Sequence, residues 1–262
     1  VEMLGIPHQV MLRSTTKYAL ADITIDFEDG TDIYWARQQV SERLNGVWDR
    51  LPTNVTGGMA PMTTPLGEML MFTVEGDGLS LAERRSALDW VIRPALRTVP
   101  GVADVNALGG EVRTFEVIPD PARLAAHGIS LARLRETLAV NNRNDGAGRL
   151  SDGEEAWLVR SEGSVRNLAD LAAIVVQSDP VEPVRLADVA QVREGALTRY
   201  GGVSHNGQGE TVEGLVLGLR GANAREVVGG VRQKLDALAP SLPAGMRVEI
   251  FYDRGDLVNR AV

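Results

Sequence analysis

The feature that most constrains this chain is an internal repeat. Val40, Leu44, Val47, Leu51 and Pro52 fall on Val231, Leu235, Leu238, Leu242 and Pro243 with an unbroken offset of 191. Spacings of four, three and four place the first four residues of each set on one helix face, and the proline closes the helix. Each helix has a strand-like segment upstream, Asp22 to Phe27 in the first copy and Thr211 to Leu219 in the second. Each also has one downstream: Asn54 to Gly57, which is weak, and Met246 to Phe251. The repeating unit is therefore strand, helix, strand, with the two helices expected to pack on sheets in the same way.

A third copy lies between them: strand Met69 to Val74, helix Leu81 to Arg97, and strand Val102 to Ala107 after a turn at Pro100 and Gly101. Pro94 should kink that helix or end its regular part, because it lacks an amide proton and crowds the preceding turn. Such units point to an α+β fold of ferredoxin-like sandwiches, with helices on one face of a sheet. Residues 111 to 198 break the pattern and read as an inserted α+β block. It holds a strand at Thr114 to Ile118, a short helix ending at Gly128 and a helix from Ser130 to Val140. A Gly-rich polar stretch, Asn141 to Glu155, and strands around Trp157 to Arg160 and Ile174 to Val176 follow. Val1 to Leu4 reads as the tail of a helix, so the chain is expected to start inside a domain. The residues after Asp256 read as the approach to another helix.

Composition narrows the function. A net charge of -8 argues against nucleic acid or anionic lipid as a partner, since both require clustered Lys and Arg. No apolar run approaches the roughly 18 residues that cross a bilayer. With no Cys and only three His, at 8, 127 and 205, thiolate and His-rich metal sites are excluded, as is a cysteine nucleophile. No nucleophile elbow and no phosphate-binding Gly loop occurs, so nothing points to an enzyme.

Several segments resemble one family. They are Phe27-Glu-Asp-Gly-Thr-Asp-Ile-Tyr-Trp-Ala-Arg-Gln-Gln-Val40, Asp89-Trp-Val-Ile-Arg-Pro-Ala-Leu-Arg97, Val99-Pro-Gly-Val-Ala-Asp-Val105 and Leu124-Ala-Ala-His-Gly-Ile-Ser-Leu131. Val184-Arg-Leu-Ala-Asp-Val-Ala190, Asn223-Ala-Arg-Glu-Val-Val228 and Tyr252-Asp-Arg254 join them. In this order, from about residue 5 to the end, they resemble the heavy-metal efflux branch of the resistance-nodulation-division transporters. The resemblance implies a periplasmic region of an inner-membrane exporter of a Gram-negative bacterium. Residues 1–62 would be part of the first porter subdomain, 63–110 with 199–252 the second, and 111–198 an inserted docking subdomain. Residues 253–262 would lead into a transmembrane helix. It further implies a homotrimer joined through the docking subdomain, a periplasmic adaptor protein and an outer-membrane channel as partners, and no cofactor beyond the transported divalent ion. Zinc is the leading candidate for that ion, with cobalt and nickel as others.

The residue singled out for chemistry is Glu68, in Thr63-Thr-Pro-Leu-Gly-Glu68-Met-Leu-Met-Phe-Thr-Val74. It stands at the entrance of an apolar strand expected to be buried, where an unpaired carboxylate is costly unless a cation or donors meet it. The resemblance implies an acidic metal ligand at this Gly-Glu pair; the alternative is an ordinary carboxylate at a strand edge. Met59, Met62, Met69 and Met71 invite a Cu(I) reading, but strand spacing makes Met69 and Met71 packing residues. Asp26, Glu28, Asp29 and Asp32 are too irregular for an EF-hand, since counting from Asp26 puts Thr31 and Arg37 where Gly and Glu belong. A turn at Asp29-Gly30 and a helix cap at Thr31 or Asp32 explain them. The three His are expected on the surface. The stretch from Gly146 to Leu158 is expected to form an extended hairpin, which the resemblance casts as the arm reaching a neighbouring protomer. A pump for organic compounds would line its cleft with Phe, whereas Phe27, Phe72, Phe115 and Phe251 are spaced as core. A stand-alone soluble ferredoxin-like binding module is the other reading.

Overall fold

The structure is a computed structural model that describes residues 1–261 except 19, 65, 153, 154 and 179–181. The chain forms two compact units, Val1–Met62 and Thr63–Val262. In the first, β1 (Gln9–Lys17) and β2 (Leu20–Phe27) make an antiparallel hairpin, followed by α1 (Ile33–Asn45) and a 3-10 turn at Trp48–Arg50. Asp32 caps α1 by accepting a hydrogen bond from the Trp35 amide at 2.8 Å. Among the described residues of this unit, the buried apolar side chains are Met3, Ile6 and Ala36.

The second unit runs β3 (Glu68–Gly76), α2 (Leu81–Ala87), a π-helical turn (Leu88–Ile92), α3 (Arg93–Leu96), β4 (Val102–Gly109) and β5 (Arg113–Pro119). Next come α4 (Pro121–Ala126), α5 (Leu131–Asn141), β6 (Asp145–Asp152), β7 (Glu155–Ser161), α6 (Leu168–Ala172) and β8 (Val175–Gln177). The chain continues through β9 (Val184–Arg185), α7 (Leu186–Val189), β10 (Ala190–Ala196), β11 (Val203–Ser204) and β12 (Glu210–Gly218). It ends with α8 (Ala224–Leu238), β13 (Met246–Asp253) and α9 (Arg254–Ala261). The main sheet has the order β4-β12-β3-β13, all neighbours antiparallel, with β11 added beside β12. Taken in chain order as β3-α-β4 and β12-α8-β13, these are two βαβ halves in the interleaved ferredoxin-like arrangement expected from the repeats.

The helices cover one face of this sheet. Leu70, Phe72, Val74, Val105, Val212 and Val216 pack in one core with Leu88, Ile92 and Leu96 and with the α8 side chains Val227, Val228, Val231 and Leu235. Full burial of side chains this size stabilises by about 1.5–3 kcal/mol each. A second core in the same unit gathers Leu124, Leu134, Leu171, Leu186 and Val189 from α4, α5, α6 and α7 with the two-stranded antiparallel sheet of β5 and β10. Local signals set the helix starts: Ser80 and Glu83 form a reciprocal capping box, while Asp120, Ser130 and Asn223 cap α4, α5 and α8. Pro94 acts as expected, since the helix widens into a π turn just before it and Arg93 donates to Leu88, five residues back.

Some expectations fail. The repeat is not carried through both copies: α1 ends at Asn45, leaving Val47 and Leu51 outside it, whereas α8 continues to Leu238. The reason lies in the residues that replace one another at the offset, Asn45-Gly46 against Asp236-Ala237, because Gly costs about 1 kcal/mol in a helix relative to Ala. Val40, Leu44, Val47 and Leu51 are only half-buried, while Val231 and Leu235 are buried. Asn54 to Gly57 forms no strand, and Val1 to Leu4 forms a turn closed by Leu4 N–H to the Val1 carbonyl at 3.0 Å instead of a helix tail. Among the described residues, no helix is long and apolar enough to cross a membrane.

Candidate functional site

The sheet face opposite the helices is built by simple alternation, and Glu68 belongs to it only because the alternation breaks. Leu70, Phe72 and Val74 point to the helices, so regular pleating would send Glu68 to the same side. In the β3–β12 register Leu70 pairs with Val216 but Glu68 pairs with Leu217, leaving Met69 as the extra residue of a β-bulge. Leu217 shares its face with Leu215 and Glu213, and the bulge therefore turns Glu68 onto the helix-free face. A second bulge, at Phe251 of β13, lies at the same end of the sheet.

The segment leading to Glu68 is pinned by backbone and by one guanidinium. Gly67 N–H donates to the Thr64 carbonyl at 2.8 Å, and the Gly67 carbonyl accepts from Gly218 N–H at 2.7 Å. Any side chain at position 67 would put its Cβ 2.0 Å from Thr63 Oγ1 and 2.8 Å from the Thr64 carbonyl oxygen, which is why glycine precedes the glutamate. Arg254 donates to the Leu66 carbonyl. Its neighbour Asp253 accepts from Arg232 Nε of α8 at 2.9 Å and from Gly255 N–H at 2.7 Å. The Tyr252-Asp-Arg254 motif thus ties β13, α8 and the Glu68 segment together.

Glu68 itself is exposed, which corrects the expectation of a buried site: burial begins one residue later, at Met69 and Leu70. The cost of an unpaired buried carboxylate therefore does not argue for a cation there. Glu68 has no hydrogen-bond or ion-pair partner among the described residues, and no group of three or more His, Asp or Glu side chains among them converges as a metal site. Glu213 stands out only in the structure, although a lone carboxylate inside the apolar run of β12 is already visible in the sequence. Burial, and then the charge of Glu68, push its carboxyl above the usual range.

At the other end of β3, Glu75 Oε1 meets His205 Nδ1 at 3.2 Å and accepts from Thr211 Oγ1 at 2.9 Å, with Arg84 3.6 Å from Oε2. Burial pushes the Glu75 carboxyl up, but the contacts with Thr211, Thr73 and His205 outweigh it and hold it below the ordinary range. His205 is consequently a bonded, part-buried residue and not the bare surface histidine expected. His8 is exposed but also engaged, 2.9 Å from Glu28 and edge-on to Trp35. The acidic cluster dissolves into ordinary structure: Asp26 pairs with Arg13, Asp32 caps α1, and Gly30 makes the turn at φ 85°. Met69 packs against Gly218 in the core, as spacing predicts, and Met71 is half-buried. Phe72 and Phe115 are core, but Phe251 is half-exposed and faces the His205 ring, 6.3 Å between centroids, contrary to the core reading.

β6 and β7 form a two-stranded antiparallel hairpin that pairs with no further strand among the described residues. Its tip at 153 and 154 and the Trp157 side chain lie outside the described residues.

Comparison with known proteins places this architecture. The chain is 39% identical to Protein HelA of Legionella pneumophila over 99% of its length, and 37% identical to the cobalt-zinc-cadmium resistance protein CzcA of Cupriavidus metallidurans over 100%. It is 38% identical to the cation efflux system protein CusA of Escherichia coli K12 over 99%. It spans about a quarter of these relatives, covering 25% of each. A crystal structure of a heavy metal efflux pump superposes on 98% of the chain, and 26% of that pump, with a TM-score of 0.87 at 34% identity. The profile of the AcrB/AcrD/AcrF family matches residues 1–262, so the chain belongs to that family, on its heavy-metal efflux branch.

Proposed function

We propose that this chain is the periplasmic porter and docking region of a proton-driven inner-membrane exporter of divalent cations, zinc first, with cobalt and nickel as further cargo. It works without enzymatic chemistry. Residues 63–110 and 199–252 are the second porter subdomain and 111–198 the docking subdomain, a division supported by the two separate cores of the second unit. The β6–β7 hairpin serves as the trimer arm, and the adaptor protein and outer-membrane channel complete the export path.

The observation that carries the reading is the Met69 bulge, which brings Glu68 onto the open face of the sheet at a segment held by Gly67 and Arg254. A carboxylate so placed offers one oxygen ligand to a cation in the cleft; the remaining ligands come from outside this chain, because one carboxylate binds divalent ions weakly. Oxygen donors without thiolate or clustered thioether suit zinc, cobalt or nickel over Cu(I). Loss of the outside ligands on a change of conformation would release the ion. The test is Glu68→Gln in the full-length transporter. Zinc resistance should fall while the amount of folded protein stays constant; unchanged resistance at equal protein would refute the role.

A further inference from the structure

β13 ends beside the Glu68 segment, and the residues at that end are fixed from both sides. The register sets Asp253 opposite Leu70, so the antiparallel ladder carries Arg254 toward Met69 and the Glu68 end of β3. The Asp253 side chain is 7% exposed, and both its oxygens are taken. Oδ2 accepts from Arg232 Nε of α8 at 2.9 Å, while Oδ1 accepts from Gly255 N–H at 2.7 Å and from Asp256 N–H at 3.3 Å. Asp253 therefore caps α9, because it takes two amides that the first helical turn leaves open. A Cβ at position 255 would lie 3.0 Å from Asp253 Oδ1, so glycine there keeps the carboxylate close. Arg254, held between these two residues, donates from its guanidinium to the Leu66 carbonyl. It has no ion-pair partner among the described residues, whereas the Asp253 charge is matched by Arg232.

The Glu68 segment has few other holds. The Leu66 side chain is 71% exposed, so packing does not anchor it. Gly67 is tied to β12 at its carbonyl, through Gly218 N–H, but its own amide bonds within the segment, to the Thr64 carbonyl. Among the described residues, the Arg254 bond is the one hydrogen bond from another element that reaches residue 66. We propose that Arg254 is a positioning residue that ties the placement of the Glu68 carboxylate to helix α9. It fixes the course of the chain from Leu66 to Glu68, and with it the direction in which the carboxylate leaves the sheet. Because Arg254 is the first residue of α9, Glu68 follows that helix as well as its own strand. A charged donor suits the task, since it holds a carbonyl more firmly than a neutral one does.

The inference rests on the reading of Glu68 as a cation ligand, and its test separates the two. Full-length transporter is reconstituted in proteoliposomes with an imposed proton gradient, and zinc flux is measured against zinc chloride concentration. The proteins compared are the parent, Arg254→Met, Arg254→Lys, Glu68→Gln and the Glu68→Gln, Arg254→Met double variant. Arg254→Met keeps the apolar stem and removes the donor, so the half-saturating zinc concentration should rise about tenfold, as for lost supports of other metal ligands, with maximal flux retained. Arg254→Lys should recover most of that loss, because a single carbonyl does not need the guanidinium fork. The double variant should be no worse than Glu68→Gln alone, since Arg254 acts through that carboxylate. Hydrogen exchange in Arg254→Met should quicken in residues 63–68 while α8 and β13 stay protected. A deficient Glu68→Gln beside an unaltered half-saturating concentration in Arg254→Met would overturn the positioning role and leave Glu68 standing. An unaffected Glu68→Gln would overturn both. Protection lost across α8 and β13, without rescue by Lys, would make Arg254 a structural residue and end the proposal. If Arg254→Met does not fold, the shorter Arg254→Gln is read by the same outcomes.

Discussion

Gly214 and Phe72 face each other across β12 and β3, and their fit can be broken from either side. A Cβ built on Gly214 would lie 2.2 Å from Phe72 Cζ and 2.6 and 2.7 Å from its Cε atoms. Carbon atoms rest about 3.5–4.0 Å apart, so the ring of Gly214→Ala must retreat by about 1.3–1.8 Å. Phe72 is 0% exposed inside the helix-covered core, which leaves it no space to retreat into. The cost should therefore fall in the upper part of the overpacking range, about 2–3 kcal/mol. Phe72→Leu removes the clashing ring edge at a cost of about 1–1.5 kcal/mol on its own. Combined with Gly214→Ala, it lets the new methyl fill the vacated space, so the double variant should be at least about 1 kcal/mol more stable than the sum of the singles predicts. Urea unfolding read by tryptophan fluorescence measures this as midpoint shifts at constant slope. A Gly214→Ala variant within about 0.5 kcal/mol of the parent, or costs that simply add, would refute the packing argument.

Ser80→Ala removes the hydroxyl that accepts from Glu83 N–H but keeps the residue-80 amide that donates to the Glu83 carboxylate, and it should cost about 1 kcal/mol in the same assay, with Glu83→Ala removing the other half of the box. Glu75 is held below the ordinary glutamate range in the folded state, so it adds stability above its unfolded pKa that is lost as pH falls through the folded value. Glu75→Gln should accordingly be less stable than the parent near neutrality, and the gap should close in acid; a gap that stays constant with pH would contradict the assignment. Gly67→Ala should displace the Glu68 segment and reduce zinc resistance of the full-length transporter as much as Glu68→Gln does, since the Thr64 carbonyl cannot yield without losing its bond to Gly67 N–H. Resistance equal to the parent would show that the segment adapts.

The second unit was legible because its signals are local and redundant. Apolar runs at Met69 to Val74 and in β12, helical spacing in α8, and a helix start at Ser130 all agree with the final structure. The first unit was harder. β1 is a largely polar stretch, Gln9–Lys17, with no alternation to mark it, and Asn45-Gly46 ends α1 before the repeat is complete. At the site, the sequence pointed to Glu68 but for a reason that fails, because a one-residue bulge decides which face a strand residue occupies and a bulge leaves no mark on apolar patterning. The pairing of Glu213 with Thr73, and of His205 with Glu75 across 130 positions, is set by sheet register and is invisible in a linear reading.

The most direct test of the account is a zinc-edge anomalous difference map of crystals of the full-length transporter grown with zinc. The account predicts a peak about 2.0–2.2 Å from a Glu68 carboxylate oxygen, with its other ligands from outside this chain. A transporter that carries zinc in its cleft while the Glu68 carboxylate stands free of it would contradict the central claim.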